Sequence, residues 1–234
     1  MADLLFIVLA ESALEPVPRE ILDHPSIVKD ARKRCKRPEQ LILDRSYHHQ
    51  AMAGLRDAHR RGRPDIIHIT LLTALSSPLN LTGNLKIYIH TRNDEVIFIS
   101  PKVRVPRNSE RFKGLMEQLY EFGQVPPEGE PLMKIRGMGV EELLRNIDPT
   151  LKVEISMRGE SRGIKDVVGL IASHDRPAVL VGGFPRGHFS KETISLLDKT
   201  FRIYSSGLDS WTVTSWLIFA YIDVTGADEV VQNR

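Results

Sequence analysis

The stretch Ala178-Val179-Leu180-Val181-Gly182-Gly183-Phe184-Pro185-Arg186-Gly187 decides the fold. Its apolar head reads as a strand, Ala178 to Val181, and its tail as a glycine-bearing loop directly after that strand. Glycine at a strand's carboxyl end lets backbone approach a ligand closely, and that end is where open α/β sheets hold cofactors. The glycines stand at 182, 183 and 187, so this is not a GxGxxG dinucleotide fingerprint. It also lacks the Lys-Ser/Thr of a phosphate-binding P-loop. Taken alone, a plain tight turn explains it equally well.

Working outward, the pattern repeats. Leu151 to Ser156 reads as a strand and Ile164 to Ser173 as a helix on one side; Ser190 to Lys199 reads as a helix and Phe201 to Tyr204 as a third strand on the other. A helix over Ser210 to Ile222 follows. Strands alternating with helices predict a parallel α/β sheet covered on both faces. The third strand also runs into a small-residue loop, Ile203-Tyr204-Ser205-Ser206-Gly207-Leu208, with Asp209 or Ser210 placed to cap the next helix. Each loop alone has a bland reading. Two of them on successive strands make a cleft.

The N-terminal half is less regular. Leu4 to Ala10 is an apolar strand, a helix is expected around Ser46 to Arg60, and Pro64 resets the chain. Pro64 to Leu75 fits either a helix or a buried strand and is assigned as helix. Leu85 to Thr91 alternates, Arg92 to Glu95 turns, and Val96 to Ile99 returns, a hairpin expected as an insertion on the core. No motif can be placed over Gly114 to Thr150.

Composition narrows the function classes. Cys35 is the only cysteine, which excludes a disulfide framework, a four-cysteine zinc site and a CxxC redox pair. His48, His49, His59 and His68 are not spaced as HExxH, so no metal is assigned. Ser205 and Ser206 have no identifiable His-Asp partners for hydrolase chemistry. The apolar run Trp211 to Ile222 falls short of the ~20 residues that span a bilayer, and Leu4 to Ala10 lacks the basic leader of a signal peptide. A soluble, cytoplasmic protein is expected. The last helix is apolar around nearly its whole circumference, through Trp211, Val213, Trp216, Leu217, Phe219, Tyr221 and Ile222, which calls for cover on several sides, including a partner subunit.

Net charge is only +2, but the cations cluster. Lys29 to Arg37 holds six basic residues and one acidic, Arg56 to Arg63 four and one, and Lys86 to Lys113 seven and three. Each cluster alone fits a solvated helix face; three in one half of the chain favour a polyanionic partner.

Three further runs stand in order: Arg63-Pro64-Asp65, Ser77-Pro78-Leu79-Asn80, and Val103-Arg104-Val105-Pro106-Arg107-Asn108-Ser109-Glu110-Arg111-Phe112. Pro106 favours an extended entry and a helix starting near Ser109 brings Arg111 beside Arg104 and Arg107. Arginine's planar fork suits phosphates and base edges. These runs resemble the RPD, SPxN and VRxPRxxxRF stretches of the SPOUT-class family that methylates ring nitrogen 1 of a pseudouridine in small-subunit ribosomal RNA. Val181 to Gly187 and Ile203 to Trp216 resemble the cofactor loops of that family.

The resemblance implies an S-adenosylmethionine-dependent homodimer with a C-terminal trefoil knot, a single domain over residues 1–234 and an RNA-binding insertion at about 76–112. It assigns the cofactor to Gly182, Gly187, Ile203, Tyr204, Ser205, Ser206, Gly207 and Leu208. The RNA falls to Arg63, Arg104, Arg107 and Arg111, with Asp65 orienting an arginine beside Arg63 in the catalytic site. Ser156-Met157-Arg158-Gly159 stands where such enzymes have a third ligand-facing loop. An RNA-binding ribosome-assembly factor without catalysis is the alternative. A nicotinamide oxidoreductase is disfavoured by the missing GxGxxG.

Overall fold

The computed structural model describes residues 4–227. In chain order the elements are β1 (Leu5–Ser12), α1 (Pro25–Lys33), α2 (Arg45–His48), α3 (Pro64–Leu75), α4 (Pro78–Leu81), β2 (Leu85–Thr91), β3 (Glu95–Ile99), α5 (Ser109–Phe122), β4 (Gln124–Val125), β5 (Met133–Gly137), α6 (Val140–Ile147), β6 (Leu151–Ser161), α7 (Ile164–Ala172), β7 (Pro177–Gly182), α8 (Lys191–Ser195), β8 (Lys199–Arg202) and α9 (Ser210–Thr225).

Every residue of β1 from Leu5 to Ala10 is buried, because the strand lies inside the sheet and is covered on both faces. One eight-stranded sheet runs β4-β5-β3-β2-β1-β7-β6-β8. Pairing is parallel from β2 through β1, β7 and β6 to β8 and antiparallel among β2, β3, β5 and β4. The expected parallel sheet is therefore a mixed one. Nor does the hairpin stand apart from it: β2 pairs with β1 from Leu5 opposite Leu85 to Leu9 opposite Ile89. Local alternation can propose a hairpin, but which neighbour receives its first strand is a long-range matter. The unassigned segment 114–150 holds β4, β5 and α6, and β5 extends the sheet beyond the hairpin.

Alternate residues of β1 feed the two faces. Leu5, Ile7 and Leu9 join the larger core with Ile67, Leu71, Phe112, Val167 and Tyr221 from α3, α5, α7 and α9. Phe6, Val8 and Ala10 pack with Val140, Leu143 and Phe189 on the opposite face. A satellite cluster of Val17, Ile27, Leu41, Leu43 and Met52 holds the N-terminal segment.

Pro64 to Leu75 is helical, with proline at its first position. The helix expected over Ser46 to Arg60 is instead α2 followed by single turns at Ala51–Gly54 and Ala58–Arg60. Extended Leu55 and left-handed Asp57 (φ 54°) interrupt it. Ser190 to Lys199 shortens likewise to Lys191–Ser195, because Lys199 already belongs to β8.

The loop after β7 is bound tightly to β1. The Gly183 N–H donates to Ala10 O (2.9 Å) and the Ala13 N–H to Gly183 O (2.8 Å). A Cβ on Gly183 would stand 2.1 Å from Ser12 Oγ and 2.9 Å from Ser12 Cα. Gly183→Ala should therefore lower the thermal midpoint, with an overpacking cost of about 1–3 kcal/mol. A variant melting with the wild type would show that the end of β1 yields freely.

Candidate functional site

Three strand ends meet at one edge of the sheet. β6 pairs with β8 at Ile155 opposite Phe201, skips, and resumes at Glu160, again opposite Phe201. Ser156 to Gly159 is thus an excursion beside the loops that follow β7 and β8. Gly159 permits the return, since a Cβ there would lie 2.5 Å from the Phe201 backbone. Between these loops lies a cleft of about 270 Å³ lined by Glu154, Met157, Val181, Phe184, Arg202 and Val213 among others.

Of the residues assigned to the cofactor, Gly182, Gly187, Ile203, Tyr204, Ser206, Gly207 and Leu208 line this cleft. Ser205 is exposed and is not among the lining residues. Asp209 occupies the N-cap of α9 but makes no side-chain capping bond. Ser210 does not cap either; its hydroxyl donates to Gly182 O, tying the start of α9 to the end of β7. Gly187 adopts φ 106°, a conformation that side-chain-bearing residues avoid.

Two groups that the sequence patterns did not single out shape the cleft. Burial pushes the Glu154 carboxyl above the usual range, against hydrogen bonds from Ser156 and Thr200. The Phe184 ring lies where a Cβ on Gly182 would be, 2.9 Å away at Cζ. An aromatic beside a glycine turn carries no distinctive spacing.

The arginine segment is held by α3. At its head, Arg63 and Asp65 form a two-pronged pair, Nε to Oδ1 at 2.8 Å and Nη2 to Oδ2 at 2.7 Å. This hydrogen-bonded pair raises the Arg63 pKa, and the more distant Asp209 carboxylate adds to the shift. One turn after Asp65, His68 bonds Pro106 O at 2.6 Å and stacks on Phe112 at 4.4 Å. Asn80 donates to Leu75 O (2.9 Å) and to Pro101 O (3.0 Å), so the SPxN run secures the entry to the arginine loop. Asn108 accepts from the Arg111 N–H and caps α5.

Ion pairing separates the three basic clusters. Arg34 and Lys36 are taken by buried Glu117. Arg60 pairs with Glu11, and Arg61 with buried Glu15. Lys113 lies between Asp44 (2.9 Å) and Glu110 (2.7 Å). Arg104, Arg107 and Arg111 are all exposed, and among the described residues no ion pair engages them. Much of the apparent basic surface is internal bracing, and the strip 104–111 is what remains open to a polyanion.

A mixed α/β sheet with a cleft at the carboxyl ends of its parallel strands, flanked by an uncommitted arginine strip, defines the SPOUT class of methyltransferase. The model of the EMG1/NEP1 methyltransferase family matches residues 7–221. This chain belongs to that family. It is 44% identical over 219 residues to the ribosomal RNA small subunit methyltransferase Nep1 of Staphylothermus marinus, covering 93% of this chain and 95% of the relative. With the Thermococcus kodakarensis protein of the same description it shares 46% over 215 residues, covering 92% and 96%. The crystal structure of Archaeoglobus fulgidus Nep1 bound to S-adenosylhomocysteine superposes with a TM-score of 0.83 at 33% identity, covering 97% of this chain and all of that one. Among the described residues no group of side chains is arranged to hold a metal ion, and no helix is long and apolar enough to cross a membrane.

Proposed function

We propose that this chain transfers a methyl group from S-adenosylmethionine to ring nitrogen 1 of a pseudouridine in small-subunit ribosomal RNA, acting as a cytoplasmic homodimer in ribosome biogenesis. The observation that carries the reading is the convergence of the glycine-lined cleft and the open arginine strip on α3 and α9. The names of the relatives, and the S-adenosylhomocysteine held by one of them, support the substrate and cofactor.

The residues present fit the cofactor. The cleft offers apolar walls at Ile155, Val181 and Leu208 for a purine and charged groups at Glu154, Arg186 and Arg202 for an amino-acid end. Gly182 leaves room where a larger residue would run into Phe184. When bound, S-adenosylmethionine supplies an electrophilic methyl group on a sulfonium. The protein's part is to hold the base in line with it, and such positioning is worth up to ~7–11 kcal/mol. Nitrogen 1 of pseudouridine carries a weakly acidic proton, so negative charge develops on the base as that proton leaves, and Arg63 stabilises it. Asp65 uses both oxygens to orient Arg63. Arg104, Arg107 and Arg111 hold the RNA backbone.

Methyl-labelled S-adenosylmethionine and matched stem-loops carrying uridine or pseudouridine test the reaction. Label should enter only the pseudouridine RNA, at nitrogen 1, because the corresponding position of uridine is the glycosidic nitrogen and has no proton to lose. Methylated uridine, or another methylated atom, would overturn the assignment, and RNA binding without turnover would favour an assembly factor.

The strip should act electrostatically. For single-stranded nucleic acid, log affinity falls with log salt by ~0.7 per phosphate neutralised. Arg104→Ala, Arg107→Ala and Arg111→Ala should each weaken stem-loop binding and flatten that slope in a salt titration. Wild-type binding across salt in all three variants would make the strip a solvated face.

The dimer rests on α9. Val213, Leu217, Tyr221 and Ile222 are buried within the chain, whereas Trp216 is 38% and Phe219 55% exposed, with Tyr204 edge-on to Trp216. Large apolar side chains are worth ~1.5–3 kcal/mol each when removed from water. Analytical ultracentrifugation at micromolar concentration should show a dimer, and a monomer would contradict it.

A further inference from the structure

Arg60 stands between the two halves of the proposed site. Its guanidinium lies 3.9 Å from the centroid of the Phe184 ring, and Phe184 lines the cofactor cleft. Its Nη2 donates to Glu11 Oε2 at 2.7 Å. The other oxygen of Glu11 accepts from the Ser190 N–H and the Thr193 hydroxyl, both at 2.8 Å, at the far end of the same loop. Burial would push the Glu11 carboxyl up, but the hydrogen bonds from Ser190, Thr193 and Arg60 outweigh it and hold it below the usual range. A Cβ on Gly187 would come within 3.6 Å of Arg60 Cδ, so the loop passes close against the arginine stem. Glu11 itself adopts φ 50°, a left-handed conformation that costs energy for a residue with a side chain.

Arg60 is also three residues from Arg63 in a segment with little freedom. Arg61 is locked by Glu15 at 2.9 and 2.6 Å. Gly62 is at φ 65° with Met52 packed against it. The Arg63 N–H donates to Ala13 O at 3.0 Å. The loop that faces the cofactor and the segment that faces the RNA therefore share one side chain.

We propose that Arg60 is a positioning residue that couples the two ligands: RNA held at Arg63 steadies the segment from Arg60 to Arg63, Arg60 steadies Phe184, and the loop closes on the cofactor at less entropic cost. Ordering that one ligand has already imposed need not be imposed again by the second, which makes binding cooperative. The coupling is reciprocal, so S-adenosylhomocysteine tightens RNA by the same factor. This rests on the functional reading above.

The test measures S-adenosylhomocysteine affinity by calorimetry with and without a saturating pseudouridine stem-loop, and RNA affinity with and without S-adenosylhomocysteine. The wild type should show about fivefold or greater tightening, equal in both directions. In Arg60→Ala the factor should fall to about one. Arg60→Lys retains the charge opposite Glu11 but has no planar group to stack on Phe184, and should keep the thermal midpoint while losing most of the coupling. Phe184→Leu should lose it as well, so the inference stays open to refutation even if Arg60→Ala fails to fold. Hydrogen exchange of amides 184–190 should slow on RNA addition in the wild type and not in Arg60→Lys. A wild type that binds neither ligand would overturn the functional reading and the coupling together. Binding of both ligands with a factor of one, or coupling unchanged in Arg60→Lys and Phe184→Leu, would overturn the coupling alone.

Discussion

Arg63→Ala is expected to lower turnover on a pseudouridine stem-loop by about 10²–10³, the cost typical of removing one preorganised donor from a developing anion. The side chain is oriented before any substrate arrives, because Asp65 engages both Nε and Nη2. The loss should fall on kcat, since charge develops on the base only as methyl transfer proceeds. Asp65→Asn keeps one carbonyl oxygen to accept from Arg63 and leaves the guanidinium in place. That variant should retain part of the activity and lose less than Arg63→Ala. Single-turnover kinetics with saturating cofactor separates the two. An Asp65→Asn loss equal to or larger than that of Arg63→Ala would mean that the carboxylate itself takes part in proton transfer.

The second large effect is on the cofactor. Gly187→Val should raise the S-adenosylhomocysteine dissociation constant at least ~tenfold, or ~1.4 kcal/mol. At φ 106° a β-branched residue is strained, and the loop must change its path past Arg60. Gly182→Val acts differently: its Cβ would meet the Phe184 ring, so the ring must swing away or the cleft must fill. Both variants should remain folded, because neither site carries the backbone overlap found at Gly183. Calorimetric titration with far-UV circular dichroism decides this, and wild-type affinity in both folded variants would remove these loops from the cofactor site.

These expectations differ in how far sequence could carry them. The strand at Leu4 to Ala10, the hairpin strands and the alternation from Leu151 to Ile222 were legible because local hydrophobic period records which faces are buried. The cleft was legible for a related reason: glycines at strand ends mark places where backbone conformation or approach forbids a side chain, and Gly187 is such a place. The helix expected over Ser46 to Arg60 failed because Asp57 takes a left-handed turn that composition does not signal.

Charge was the least legible quantity. The sequence by itself determined the α/β character, the order of the C-terminal strands and helices, and the presence of an arginine-rich run between Arg104 and Arg111. It counted the cations at Arg34, Lys36, Arg60 and Arg61 as equal to those in that run. Only the tertiary structure decided between them, by setting Glu117, Glu11 and Glu15 against the first group from distant parts of the chain and leaving the second facing water. Tertiary structure also made β2 a neighbour of β1 and brought Arg60 onto Phe184. The physical reason is common to all three: hydrophobic period and backbone conformation are local properties of a chain, whereas strand neighbours and the partner of a charge depend on which distant residues folding brings within a few ångströms.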